Sequence, residues 1–269
     1  MWYGVSTVLG RFINLITTFI IADLSSAING QQGSLYAAIA FLNIVFTFGM
    51  ETTFFRFARD EKPTKVFNIA TSTIITIGFP LAIILISLRE PISKLLSVSE
   101  TPHLIILAIT IIVLDALVSM PFAKLRLKNR PRKFALIKII NVILNVSFVF
   151  LFISVIPWLQ KENFANGLFA NYELEKNALT YILCSNIIAS GITLLLLIPE
   201  FKGYKFRLHK TLWKQMLVYT IPLVIVGVGG MINDVSDRIM LPRFLDGGEK
   251  ERETLAGIYN LNFKLAALI

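Results

Sequence analysis

The sequence predicts an all-α, polytopic transmembrane helical bundle, and three observations predict it. Of its 269 residues 55% are hydrophobic and only 16% charged, where soluble domains carry about 25% charged residues to cover their surface. Apolar runs of membrane-crossing length recur along the chain, and the basic residues collect in alternate connections. This balance excludes an ordinary soluble enzyme, a disordered tail and a disulfide scaffold. The net charge of +9 points to nucleic acid only in a soluble chain, and here the placement of the charges decides. Cys184 stands alone and forms no intramolecular disulfide, while His103 and His209 lie too far from it to suggest a zinc motif.

A hydrocarbon core of ~30 Å needs about 20 helical residues, because each rises ~1.5 Å and every amide must bond within its own segment. The apolar runs predict seven full spans: Tyr3 to Ala22, Ser34 to Phe57, Val66 to Leu88, Leu104 to Ala123, Phe134 to Ile156, Leu179 to Ile198 and Leu217 to Leu241. An eighth begins near Leu255 and runs to Ile269, inside an apolar stretch, which reads as the fragment of a longer chain. A secretory leader competes for the first segment, since Ser25, Ser26 and Ala27 follow an apolar run. The lack of a preceding positive charge, and Arg11 within the run, oppose it.

Sixteen basic residues fall after spans 2, 4 and 6, among them Arg56, Arg59, the run Lys124 to Lys138 and the run Lys202 to Lys214; seven follow spans 3, 5 and 7, and none follows span 1. The positive-inside rule then places the N-terminus in the cytoplasm. Lys124 to Lys133, between two apolar spans, reads as a topology signal resting on anionic lipid rather than as a nucleic-acid patch.

After six spans the seventh starts on the same side as the first. Gly10-Arg-Phe-Ile-Asn14 echoes Gly229-Gly-Met-Ile-Asn233, and Gly33-Ser-Leu-Tyr36 echoes Gly257-Ile-Tyr259. The expected organisation is a first six-helix lobe over 1–200, a basic cytoplasmic linker over 201–214, and the first two helices of a second, parallel-repeat lobe over 215–269, with a substrate path between the lobes.

Ionisable groups inside spans are functional candidates by default. Helical spacing collects them into polar stripes: Arg11, Asn14 and Thr18 in span 1; Asn43, Thr47 and Glu51 in span 2; Lys138, Asn141 and Asn145 in span 5; Asn260 and Lys264 in span 8. Four such faces suggest a hydrated cavity, whereas the alternative is hydrogen-bond glue between helices, at ~0.6 kcal/mol each. Arg11 and Glu51 sit at similar depth, so Glu51 either locks Arg11 in a structural pair or offers it to an anionic ligand. Asp115, near mid-span with Ser119 one turn away, is a candidate for pairing with Lys138, for remaining protonated, or for ion or proton coupling. Towards the other face, Asp234 and Arg238 stand at i, i+4 in the favourable order, with Asp237 on the adjacent face, as an ion-pair cluster or gate. Pro222, Gly229 and Gly230 make span 7 bendable and are hinge candidates.

The strings Tyr3-Gly-Val-Ser-Thr-Val-Leu-Gly-Arg-Phe-Ile-Asn14, Phe48-Gly-Met-Glu-Thr-Thr-Phe-Phe-Arg56 and Asp237-Arg-Ile-Met-Leu241 resemble the oligosaccharide flippase (polysaccharide biosynthesis protein) family of the multidrug/oligosaccharidyl-lipid/polysaccharide exporter superfamily. The resemblance implies a bacterial inner-membrane, multi-pass transporter with a MATE-like fold of twelve or more helices. Its substrate would be undecaprenyl-pyrophosphate-linked oligosaccharide, a surface polysaccharide or O-antigen precursor, carried from the cytoplasmic to the outer leaflet. It also implies cationic positions in helices 1, 2 and 8, which Arg11, Arg56 and Lys264 match; Arg56 reads equally as a positive-inside residue at a helix end. The expected state is a monomer in membrane lipid, with Na+ or H+ as candidate coupling cation.

Two alternatives stand beside this reading. A cation-coupled multidrug exporter of the same superfamily would favour a carboxylate-lined pocket, which Arg11 and Lys264 oppose. A membrane-embedded polymerase or glycosyltransferase would carry a large outer loop with clustered catalytic residues, which Pro157 to Ala178 lacks. No Gly-rich phosphate loop, metal-ligand cluster or nucleophile triad occurs, so neither an enzyme nor a cofactor nor a metal is expected.

Overall fold

The computed structural model describes residues 16–21, 24–162, 172–245 and 248–266, and among these it is helical throughout, with no strand. Residues 16–21 form a helical turn, the described part of span 1. The long helices are α1 (Ser26–Thr47) with α2 (Met50–Phe57), α3 (Pro63–Ser87), α5 (His103–Leu127), α6 (Pro131–Phe150), α8 (Leu174–Leu197), α9 (Lys210–Phe244) and α10 (Glu249–Ala266). Short α4 (Arg89–Leu95) and α7 (Ile156–Lys161) lie between them, the latter joined to α6 by a π-helical turn at Leu151–Val155. Six helical stretches of the described chain are long and apolar enough to cross a membrane: Ser26–Phe57, Pro63–Ser87, His103–Leu127, Pro131–Lys161, Leu174–Phe201 and Lys210–Leu241.

The spans predicted from the sequence are helical where described, but most differ in extent, spans 3, 5, 6 and 7 starting earlier at Pro63, Pro131, Leu174 and Lys210. Span 2 begins at Ser26 rather than Ser34, because Ser25 accepts from the Ile28 amide at 3.4 Å and caps the helix there. The eighth helix starts at Glu249 rather than near Leu255. Its charged first turns keep it out of the apolar set, although they help start a helix. Span 4 runs on past Ala123 to Leu127.

Span 2 is also not one straight helix. Phe48 (φ 49°) and Gly49 (φ 58°) are left-handed, so α1 ends and α2 starts anew, while Phe48 still donates to the Ile44 carbonyl at 3.0 Å. Left-handed backbone costs an L-residue with a Cβ roughly 1–2 kcal/mol. Gly49→Ala is therefore expected to lower stability by about 1 kcal/mol, measured as the unfolding midpoint of the purified protein in detergent.

Proline opens α3 and α6 at the first turn, where a missing N–H costs nothing. Helix α5 is the centre: Ile105, Ile109, Ile112 and Ala116 bury one side against α3 and α1, while Val118, Phe122 and Leu125 bury another against α6 and α8. At the end carrying the basic loops, the chain leading into α9 is docked rather than free. Tyr204 packs edge-on against Phe67 and its hydroxyl lies 3.1 Å from Ser72 Oγ, Arg207 N–H donates to the same oxygen at 3.2 Å, and Trp213 Nε1 donates to Thr73 Oγ1 at 3.0 Å. Two turns further along α9, Thr220 shares a buried hydroxyl bond with Thr53 of α2.

At the opposite end α10 crosses α1 at backbone contact. A Cβ on Gly257 would sit 1.8 Å from the Ser26 carbonyl oxygen, and one on Gly33 would sit 2.7 Å from Asn260 Cγ. Asn260, 2% exposed, donates to the Asn29 carbonyl at 2.9 Å. The two glycine segments that echo each other in the sequence thus line the same seam.

Candidate functional site

Several of the polar residues inside the spans come together towards the basic end of α2, α5, α6 and α8. Glu51 enters it from the first turn of α2, where the helix dipole favours a carboxylate. Its partner is Arg126, from the last turn of α5, whose Nη2 donates to Glu51 Oε1. The Arg126 guanidinium also lies 5.5 Å from the ring centroids of both Phe55 and Phe134, which holds its plane without using a hydrogen-bonding edge. Its Nε, buried, has no partner.

Lys138, two turns into α6, keeps accessible surface and places its Nζ 5.1 Å from the Phe122 ring centroid. It lies within electrostatic reach of Asp115, Arg126 and Glu51. Asp115, from the middle of α5, accepts from Ser190 Oγ of α8 at 3.0 Å. One turn along each helix, Asn141 Nδ2 donates to Thr193 Oγ1 at 2.9 Å, and the buried Asn145 Oδ1 is unpaired. Farther towards the opposite end, Asn186 donates to the Tyr36 hydroxyl. Two acids and two bases therefore share one neutral cluster, with the bonds of Asp115 and Asn141 reaching α8.

Among the residues singled out from the sequence, the structure brings together Glu51, Lys138, Asn141, Asn145 and Asp115. Asn43 is half-buried on α1, its carbonyl accepting from Thr47 at 2.8 Å. Arg56 lies apart, in an exposed i, i+4 pair with Asp60 at 2.5 Å, worth little in water. Arg11 and Asn14 lie outside the described residues, as does the side chain of Lys264. Asp115 has Ser190 as its hydrogen-bond partner, with Lys138 acting on it through charge alone.

At the opposite end the pairing differs from the i, i+4 expectation. Arg238 does not bond the Asp234 carboxylate; its Nη2 donates to the Asp234 carbonyl at 2.9 Å, and its ion pair, at 3.9 Å, is with Asp237. The reason is that Tyr259 of α10 donates to Asp237, and the Arg238 guanidinium lies 4.4 Å from the Phe263 ring centroid, so α10 draws both side chains across to itself. Ser34 Oγ of α1 adds a bond to the Arg238 carbonyl at 3.1 Å. Helix α9 passes unbroken through Pro222, Gly229 and Gly230, and a Cβ on either glycine would meet nothing within 4 Å. Close approach falls instead at Gly227, 3.2 Å from Ile44.

Sequence reasoning missed Arg126, Ser190 and Thr193. Arg126 falls in the basic run that follows predicted span 4, because hydropathy fades before the helix ends at Leu127. Asn186, Ser190 and Thr193 follow one another at i, i+4 and i+7, the same spacing that revealed the other stripes. Among the described residues no group of His, Cys, Asp or Glu could hold a metal ion.

A family model described as polysaccharide biosynthesis protein matches residues 1–269, and the chain belongs to that family. No curated protein and no solved structure matches it. Membership and the six apolar helices make it a membrane protein of polysaccharide biosynthesis, in a family whose members are generally transporters rather than enzymes.

Proposed function

We propose that this member of the polysaccharide biosynthesis family flips undecaprenyl-pyrophosphate-linked oligosaccharide, a surface polysaccharide or O-antigen precursor, from the cytoplasmic to the outer leaflet of the bacterial inner membrane. The observation that carries the reading is the Arg126–Lys138 pair beside unpaired amide capacity, inside helices otherwise suited to lipid. A headgroup of this class is polar and anionic while its tail is not. It requires fixed cations sheltered from acyl chains, amides for sugar hydroxyls, and a lateral opening for the tail. Arginine grips phosphate oxygens through parallel N–H bonds and lysine adds a point charge.

In this account the basic end is cytoplasmic, and the chain supplies the first six-helix lobe, a basic linker and the opening of a second lobe in a MATE-like arrangement. Arg11 and Lys264 extend the cationic lining from helices 1 and 8. Asp115 is the candidate for Na+ or H+ coupling, Asp234, Asp237 and Arg238 belong to the outer gate, and Pro222 with Gly229 and Gly230 forms the hinge of a monomeric transporter. Support for a gate comes from the seam of α1 with α10, held by hydrogen bonds and backbone contact that a modest rotation could exchange for water.

The test is genetic. Arg11→Ala on the chromosome is expected to abolish surface polysaccharide, to accumulate the lipid-linked precursor on the cytoplasmic leaflet, and to leave membrane insertion intact. Unchanged surface polysaccharide would remove Arg11 from the cavity.

A further inference from the structure

Glu51 accepts from Nη2 of Arg126, a donor suited equally to a carboxylate and to a phosphate oxygen. The pairing is one-pointed: a single Nη of Arg126 meets a single carboxylate oxygen, although the guanidinium offers a fork of N–H groups suited to two parallel bonds. The Nε–H beside it is buried and unpartnered, an arrangement that leaves a donor unsatisfied until another oxygen arrives. Phe55 and Phe134, each 5.5 Å from the guanidinium, fix the plane so that Arg126 does not follow Glu51 if the carboxylate leaves.

Glu51 is free to leave. Its side chain is 38% exposed, it stands at the start of α2 directly after the left-handed break at Phe48 and Gly49, and away from Arg126 it still lies in a helix first turn, where the dipole favours a carboxylate. The cluster gives a reason for exchange as well. Glu51 and Asp115 balance Arg126 and Lys138, so a multiply charged anion gains a net attraction only after a resident carboxylate has moved aside.

We propose that Glu51 is a built-in counter-ion on Arg126, displaced by the phosphate oxygens of the incoming headgroup, so that the empty site is self-occupied and only a bidentate oxyanion opens it. This rests on the reading of the Arg126–Lys138 cluster as a diphosphate site and adds the device that keeps it selective: a singly bonding anion does no better than Glu51 itself, whereas a diphosphate also satisfies Nε.

The full chain, purified into nanodiscs, is titrated with farnesyl diphosphate and separately with inorganic pyrophosphate. Glu51→Gln, which keeps shape and removes charge, is expected to bind farnesyl diphosphate roughly tenfold to a hundredfold tighter than the unaltered protein. Glu51→Asp, which withdraws the carboxylate by one methylene, is expected to bind several-fold tighter and serves if the glutamine variant does not fold. Combining Glu51→Gln with Arg126→Ala is expected to erase the gain. The same ratio with pyrophosphate assigns the displacement to the headgroup and upholds the exchange, whereas a gain seen only with farnesyl diphosphate assigns it to the lipid tail and overturns displacement by phosphate oxygens. Equal or weaker binding by both Glu51 variants, with binding still lost in Arg126→Ala, overturns the counter-ion and spares the diphosphate site. No binding by any variant overturns both.

Discussion

Gly257→Ala is expected to pry α10 away from α1 and to lower stability by about 1–3 kcal/mol, the usual cost of overpacking a close contact. The methyl group would stand 1.8 Å from the Ser26 carbonyl oxygen and its neighbourhood includes the Gly30 amide nitrogen at 3.2 Å. Backbone cannot rotate out of the way as a flexible side chain would, so the helices must separate. Separation also lengthens the Asn260–Asn29 bond and withdraws Tyr259 from Asp237, loosening the whole seam. Gly191→Ala is the matched control: no heavy atom lies within 4 Å of its added Cβ, and alanine favours the helix by about 1 kcal/mol. Thermal unfolding in detergent is expected to place the Gly257 variant below, and the Gly191 variant at or above, the unaltered protein. Equal midpoints for the two would show that α10 does not pack on α1 at this distance.

The second large effect is on ligand affinity. Arg126→Ala combined with Lys138→Ala removes both described cations of the cluster. A hydrogen bond to a charged group contributes about 1.5–3 kcal/mol, so loss of the pair is expected to weaken diphosphate binding by a hundredfold or more. Either substitution alone strands an acid: Glu51 loses its partner in the first case, and in the second Asp115 loses the positive charge acting on it. The double variant leaves both Glu51 and Asp115 without a cation, and adding Glu51→Gln with Asp115→Asn restores neutrality as a control for expression. The check is farnesyl diphosphate titration of all three proteins in nanodiscs. Undiminished affinity in the double variant would mean that the headgroup is held elsewhere.

Much of this architecture is legible in the chain because a bilayer imposes it. Twenty apolar residues between polar ends leave few options, and the helices follow the predicted runs. Ends and breaks were less legible. Span 2 gains two turns at its start because Ser25 caps it, and the left-handed pair at Phe48 and Gly49 depends on what α9 packs against it, since Thr220, Leu223 and Val224 lie around Gly49. The π-helical turn at Leu151–Val155 has no signal in the run Phe150-Leu-Phe-Ile-Ser-Val155.

Three members of the cluster, Glu51, Lys138 and Asn141, stand in the polar stripes, and Asp115 stands out by its charge alone. Partners were not legible. Glu51 and Arg126 are 75 positions apart, and no spacing rule links them; Arg126 also fell beyond the apparent end of its span. The Asp234–Arg238 spacing fits an ion pair, yet tertiary contacts from Tyr259 and Phe263 select Asp237. Local periodicity fixes which face a residue occupies, while the neighbour it meets across that face is a matter of packing.

If fixed cations within the helices carry a lipid diphosphate headgroup across the bilayer, translocation itself shows it most directly. In proteoliposomes holding the full-length protein and a fluorescent undecaprenyl-diphosphate-linked sugar, the fraction of label protected from a membrane-impermeant quencher reports transfer between leaflets. Transfer is expected with the unaltered protein and is expected to fall to the protein-free rate when Arg126 and Lys138 are both alanine. Transfer at an undiminished rate by that variant would contradict the claim.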